Sequence, residues 1–446
     1  MLSSSRALDR IGVMFDEPSL VADAGLLLPA TLVIRLGLER LINETVCLAG
    51  RIGGAHPGRK VLTLVFAILA GASHIDHADR LRAGATRRVL PFRVMAPSTL
   101  GIFLRLFSFG HVRQLDAVTA EVLRRAWRFG AGPGNKAMTI DLDSTIVPVH
   151  GYKKGGAAYG YTRRLGYHPL LATRADTGEV LHARLRKGSA NTQRGAKRFV
   201  EELVARVRRC GATGPLSLRA DSGFYSGELI RTCERLGVAY SITVNLNASI
   251  QAAIDKIAED SWQKISYTDG GEAEVAETTY VAGCGKTKRS ERRLRLVVRR
   301  TRICDPAVQQ LFPTWRHHAF VTNVALDTVA ADAFHRDHAT VELAIKDLKE
   351  GAGLEHCPSG RFFANAAWLC CAVLAHDLCR WASRLGGVAA DGVLTVARTV
   401  RRQLFALPGR LVNRSGRQTL RLPEHWPWAA QFLGALDRLR SLRLVT

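Results

Sequence analysis

Long apolar runs are missing from this 446-residue chain. The two longest, residues 61–72 and 366–375, fall well short of the roughly 18–20 residues that a membrane-spanning helix needs. The N-terminal stretch MLSSSRALDRIGVMFDEPS has no continuous apolar segment of the kind a secretory signal carries. A cytoplasmic protein with no membrane partner is therefore expected. The nine cysteines are odd in number and include no CxxC pair, which argues against a zinc ribbon or a disulfide framework. They read as small buried hydrophobes. There is no internal repeat and no low-complexity tract. Acidic residues are scarce, with 39 Asp and Glu against 63 Lys and Arg and a net charge of +24. Apolar residues make up 47% of the chain, which excludes wholesale disorder. A folded chain this basic is expected to meet a polyanion, nucleic acid first and an anionic membrane surface second.

What is there changes character along the chain. Residues 1–134 read as mainly helical and basic, with Pro29 and Ala96-Pro97-Ser98-Thr99 as helix starts and a buried helix over 61–72. Arg80, Arg82, Arg87, Arg88, Arg93, Arg105 and Arg113 lie here. The region suits a DNA-binding module as well as it suits a bundle with a solvated basic face. The Gly/Pro run AGPGNK at 131–136 punctuates the chain. After it, Met138, Ile140 and Leu142 alternate with Thr139, Asp141 and Asp143, a strand pattern. Strands are expected over 167–173 and 180–185, a helix over 192–209, a strand over 216–220, a helix over 228–236 and a strand over 239–244. That order, three strands then helix, strand, helix, strand, is the order of a ribonuclease-H-like core. Residues 135–245 and 326–385 would form this α/β core, with a β-rich insertion at 246–325 between them. A basic C-terminal helical region at 386–446 would follow.

Asp143 and Asp221 each end a core strand. Taken singly, both read as ordinary turn aspartates. In a sheet of this order their strands are neighbours, and side-by-side carboxylates suit a divalent metal. Glu342, Lys346 and Lys349 share one face of a helix, opposite Val341, Ala344, Ile345 and Leu348. Alone, that face would be solvated surface. Three carboxylates in this order, in a chain this basic, argue for a two-metal site acting on nucleic acid.

The residues Ile140-Asp141-Leu142-Asp143-Ser144-Thr145, then Leu218-Arg219-Ala220-Asp221-Ser222-Gly223-Phe224, then Glu342 with Lys349, resemble a DDE-type bacterial insertion-sequence transposase. The resemblance is to the group with a Tyr-x2-Arg-x3-Glu-x6-Lys signature and a β-rich insertion before the Glu. It extends to residues 151–198, to APSTLGIFLRLFSFGHVRQLD and to PSGRFFANAAWL. The signature's Tyr and Arg positions hold His335 and His338. The resemblance places a phosphate contact at the second of these, which a protonated His338 would make less firmly than an Arg fork, or Arg336 in its stead. Asp141 and Asp143 point to the same strand face. Asp143 occupies the family's Asp-small-Thr position, which leaves Asp141 as a supporting carboxylate or as the rival ligand.

The resemblance implies that Asp143, Asp221 and Glu342 hold two Mg²⁺ ions, with Mn²⁺ able to substitute. The implied reaction is strand cleavage at insertion-sequence ends followed by transfer of the 3′ ends into target DNA. Its partners would be double-stranded terminal inverted repeats and target DNA, and a homodimer or larger assembly in the synaptic complex, at the nucleoid. Lys349, Lys346, His338 and Arg336 are candidate DNA contacts. Trp315 is a candidate base-stacking residue, or a core Trp. Lys286, Lys288, Arg289, Arg292 and Arg293 are candidate phosphate contacts, or a solvated charge run. Gly283-Cys284-Gly285-Lys286-Thr287 lacks the earlier glycine of a phosphate-binding loop, since Tyr280 stands there, and implies no nucleotide hydrolysis. Two other readings remain: a catalytically inactive DNA-binding relic, and a ribonuclease-H-like nuclease that cuts without joining.

Overall fold

The alternation at 138–144 becomes strand β1 (Met138–Ser144), and a mixed sheet is built outward from it. The computed structural model describes residues 8–48, 50–160, 162–267, 271–282, 291–303, 314–389, 393–394 and 396–445. On one side β1 pairs antiparallel with β2 (Leu170–Arg174), which pairs antiparallel with β3 (Val180–Arg184). On the other side β1 pairs in parallel with β4 (Leu216–Ala220), and β4 pairs in parallel with β5 (Val238–Val244). Parallel neighbours need crossover connections, and the helices Ala196–Cys210 and Gly227–Arg235 provide them. The first is amphipathic, burying Phe199, Val200, Leu203, Val204 and Val207.

The β-rich segment does not stand apart from this sheet. It contributes β6 (Gln263–Ile265), β7 (Ala273–Ala282), β8 (Arg292–Ile303) and β9 (Thr314–Thr322). Strand β9 pairs antiparallel with β5, Phe320 opposite Thr243. The nine strands run β6-β7-β8-β9-β5-β4-β1-β2-β3.

The helix Phe362–Leu385 is long and apolar enough to cross a membrane by length and composition. Here it is the central core helix, 83% buried over its most apolar window. It packs against helices Leu27–Arg35, Pro57–Leu69, Pro97–Arg105 and Phe109–Ala126, against the C-terminal helix Ala429–Ser441, and against β3. Its buried polar residues join it to the edge of the sheet. Asp377 accepts the backbone N–H of Val180 at 2.8 Å. The neighbouring Glu179, also buried, accepts the indole N–H groups of Trp127 (3.1 Å) and Trp381 (2.6 Å) and the guanidinium of Arg174 (3.3 Å).

Three local expectations change. The strand expected over 167–173 is split at Pro169, which has no N–H to give a ladder. Leu165–Tyr167 joins a small sheet with Val147–Pro148 and Ala158–Tyr159, and Leu170–Arg174 joins the large one. The helix expected from Pro29 begins at Leu27 and stops at Arg35, and a second (Leu38–Thr45) starts after Gly37, whose φ of 61° breaks the run. Pro29 fits inside the first turn, where N–H groups have no helical partner. The C-terminal region is not all helical. Gly409–Arg414 and Arg417–Arg421 form a hairpin that pairs with Leu20–Val21. Its two-residue turn is Ser415-Gly416, with φ of 51° and 77°, the positive values that a tight hairpin turn requires.

Glu179→Leu is expected to lower stability by about 3–5 kcal/mol, because it strands two buried indoles and a buried guanidinium. Glu179→Gln keeps one acceptor oxygen and should fall between that variant and the native chain. Urea unfolding followed by tryptophan fluorescence reads both, and equal midpoints for native and Leu variants would contradict this account of the core.

Candidate active site

The acidic site follows from register. Leu142 of β1 lies opposite Ala220 of β4, and Asp141 opposite Arg219. The next residues along are Asp143 and Asp221. Adjacent strands lie about 4.8 Å apart, and residues two apart share a face. Asp143 and Asp221 thus stand side by side at the C-terminal ends of parallel neighbours. Glu342 lies in the first turn of the helix Thr340–Lys346, which packs on β1.

Asp143 feels the charge of both other carboxylates. Burial pushes the Asp143 carboxyl up to about 6 from an ordinary 3.8. The backbone N–H of Ser144, 2.6 Å from Oδ1, partly offsets this, the charges of Asp221 and Glu342 add to it, and His338 offsets it further. Asp221 is open to solvent on one side, yet the walls around its carboxyl desolvate it and raise its pKa against the hydrogen bond from Gly223 N–H at 3.0 Å. Among the described residues none of the three forms an ion pair within 4 Å, although the structure is rich in such pairs.

Among the described residues no three carboxylate, imidazole or thiol groups converge closely enough to hold a metal ion as they stand. Asp143 and Asp221 form a pair, and Glu342 stands within electrostatic reach of it. The donor chemistry still fits a hard divalent cation. The candidate ligands are oxygens with no ion-pair partner within 4 Å among the described residues, and the charges of Asp221 and Glu342 on Asp143 are a repulsion that a cation would relieve.

Asp141 has a different place. Its carboxylate is buried, and Arg219 donates to it twice, from Nε at 2.7 Å and Nη2 at 2.9 Å. His338 Nδ1 donates to the same carboxylate at 2.8 Å. Arg219 Nη1 donates to the Phe334 carbonyl at 2.7 Å. Asp141 is thus saturated by protein partners and Asp143 is not. Sequence reasoning overlooked Arg219. Its signal was an Arg two residues before Asp221 at the level where Asp141 precedes Asp143 by two.

The other candidates scatter. Lys349 is half-buried, and burial lowers its ammonium pKa while Glu355, Asp143 and Glu350 hold it up. Lys346 is exposed. His335 is buried and stacked on Phe320 at 4.0 Å, with its nitrogens bonded to Ser241 Oγ (2.8 Å) and Thr243 Oγ1 (2.9 Å). Burial drives its pKa down to about 2, so it serves as a neutral pin between helix and sheet. Arg336 pairs with Asp332 at 2.9 Å. Trp315 is half-buried on β9 beneath the Arg300 guanidinium, 4.5 Å from its ring centre. Arg292 pairs with Glu234 at 2.7 Å, and Arg293 is exposed on β8. Lys286, Lys288 and Arg289 lie outside the described residues. Beside Asp221 opens a cleft of about 570 Å³ lined by Ser144, Tyr159, His168, Asn191 and Thr192.

With its pKa raised from 3.8 to about 6, Asp143 binds protons more tightly folded than unfolded. It therefore costs stability progressively as pH rises through that window, and the cost persists above it. In chelator at pH 8, Asp143→Asn should melt about 1–3 °C above the native chain, with the gap closing below pH 4. Added Mn²⁺ should raise the melting temperature of the native chain and leave that of the variant unmoved. Differential scanning calorimetry reads both effects, and a variant less stable than the native chain at pH 8 would refute the electrostatic account.

Comparison with known proteins places this geometry in context. No curated protein matches the chain. Among solved structures, the chain is similar to one in the cryo-EM structure of a piggyBac transposase synaptic complex with hairpin DNA. The TM-score is 0.42 and the identity 12%, over 86% of this chain and 80% of that one. A family model described as Transposase DDE domain group 1 matches residues 4–444. A match of that extent leaves one assignment, and the chain belongs to the DDE transposases.

Proposed function

We propose that this chain cuts DNA at the ends of an insertion sequence and transfers the resulting 3′ ends into target DNA, in a metal-dependent reaction. The observation that carries the proposal is Asp143 beside Asp221 at the ends of adjacent parallel strands, with both Asp221 and Glu342 acting on the Asp143 carboxylate and none of the three in an ion pair among the described residues. We read the five strands β3-β2-β1-β4-β5 as a ribonuclease-H-like core, with the β-rich segment added beyond β5. Asp143, Asp221 and Glu342 would hold divalent ions, Mg²⁺ or Mn²⁺, which supply activation of a hydroxyl and charge neutralisation at phosphorus.

The remaining roles fall to the chain's own groups. Asp143 and Asp221, by holding the cation, would set where the reacting phosphate stands relative to the strand ends. Glu342, on a helix and open to solvent, can turn toward them. Lys349 carries a half-buried ammonium beside Asp143 and meets a phosphate oxygen as a point charge. Lys346 and Arg293, both exposed, position DNA without reading its sequence. The exposed Arg87, Arg88, Arg93 and Arg105 extend this contact onto the helical region. Joining requires two ends, so the working complex contains at least two copies of the chain, and it acts at the nucleoid.

Labelled DNA carrying the repeats that flank the gene should be nicked at the repeat boundary and joined to a plasmid in Mg²⁺ or Mn²⁺. Glu342→Gln should lower both rates at least about 100-fold, the scale of losing one charge-stabilising group in a transition state. Nicking without joining would favour a nuclease. Binding without nicking in either protein would favour an inactive DNA-binding relic.

A further inference from the structure

Beneath the three carboxylates lies a second, closed set of charges. Asp141 sits two residues before Asp143 on the same face of β1. Arg219 sits two residues before Asp221 on β4, opposite Asp141 in the register. His338 sits four residues, about one helical turn, before Glu342. Each of the three acidic residues is therefore preceded, by two to four residues, by one member of this cluster, His338 lying in the 3-10 turn Asp337–Ala339 that leads into the Glu342 helix. The members bind one another directly. Arg219 grips Asp141 in a two-pronged contact at 2.7 and 2.9 Å, and His338 Nδ1 meets the same carboxylate at 2.8 Å. Arg219 also reaches the chain that leads into the Glu342 helix, through the Phe334 carbonyl at 2.7 Å and through its guanidinium, 5.1 Å from the centre of the Phe334 ring. Arg219 and Asp141 are almost wholly buried.

The planar fork of Arg219 fixes the stagger of β1 against β4 more tightly than backbone hydrogen bonds alone. The bond from His338 fixes how far the Glu342 helix stands from β1. We propose that Asp141, Arg219 and His338 form a positioning cluster that sets the mutual placement of Asp143, Asp221 and Glu342 and so sets how tightly this chain holds a divalent cation. The inference rests on the reading of those three carboxylates as metal ligands. It makes none of the cluster a catalytic residue, since all three act through their neighbours.

The test is Mn²⁺ affinity of the full chain, measured without DNA from the electron paramagnetic resonance signal of free Mn²⁺. His338→Ala should weaken Mn²⁺ binding about tenfold, at the lower end of what loss of a supporting partner costs a metal site. His338→Asn keeps a donor near the Nδ1 position and should restore affinity to within about threefold of native on that same scale. In cleavage assays, His338→Ala should shift the Mn²⁺ concentration for half-maximal rate by the same factor as its affinity, with little change in rate at saturating metal. Asp141→Asn should also weaken binding. Because that change leaves Arg219 buried with less charge to face, the half-buried His338 provides the decisive variant if Asp141→Asn does not fold. Glu179→Gln, remote in the core, should lower stability without moving Mn²⁺ affinity. Native-like affinity in a folded His338→Ala would overturn the positioning role. A native chain that binds no Mn²⁺, or an Asp143→Asn variant that binds it as tightly as native, would instead overturn the ligand assignment, and the positioning role with it.

Discussion

The acidic end of the molecule hangs on the parallel pairing of β1 with β4. Two carboxylates on adjacent strands repel each other, and nothing about Asp143 or Asp221 favours their being neighbours. Their neighbourhood is imposed by the ladder behind them, Leu142 opposite Ala220, and by the apolar residues Ile140, Leu142, Leu218 and Ala220 that the two strands bury. A one-residue slip would send one carboxylate to the other face. The ion pair between Asp141 and Arg219 opposes that slip, because only the observed stagger lets the fork meet its carboxylate. The fold therefore spends an attractive pair within the sheet to hold a repulsive pair at its end.

The same division runs through the charge of the whole chain. Arg174, Arg206, Arg219, Arg299, Arg300 and Arg380 are buried, and each faces a carboxylate. Such pairs draw on the small stock of acidic residues. The three site carboxylates are exempt from this pairing. Buried charges therefore come largely in pairs, and the net charge of +24 is carried mainly by exposed residues. On the proposed function, electrostatic attraction to DNA would be a property of many exposed residues, while the proposed reacting groups are few and fixed.

The sequence made the core strands and their crossover helices legible because hydrophobic period separates a strand from a helix. Met138 to Asp143 alternates cleanly, and residues 196–210 carry an apolar stripe. Pro169 was a visible break, and Ser415-Gly416 a visible turn pair, yet each competed with longer patterns around it. Partnership was not legible. Arg219 reads as one basic residue among many until the register puts it opposite Asp141. His335 looks like a signature position, that of the Tyr, until the fold buries it against Phe320 as a neutral core imidazole. Trp315 looks available for stacking, and the fold sets Arg300 over its ring. Distances across the chain, rather than patterns within it, decide these cases. The rivalry between Asp141 and Asp143 has the same origin, since one strand face holds both and only their partners tell them apart.

The hairpin at 409–421 pairs with Leu20–Val21, and the central helix Phe362–Leu385 packs on helices from the first third of the chain. This has a consequence for synthesis. The early helices emerge from the ribosome with faces that find their cover only several hundred residues later. The strands that carry Asp143 and Asp221 can pair before the helix that carries Glu342 exists. Until residue 342 has been made, a growing chain thus holds at most two of the three acidic groups, and its first helices remain exposed to chaperones until the central helix follows. The support of the acidic triad is coupled to the later part of translation, so a polypeptide cut short between Glu342 and the central helix carries all three carboxylates but lacks the core that would hold them.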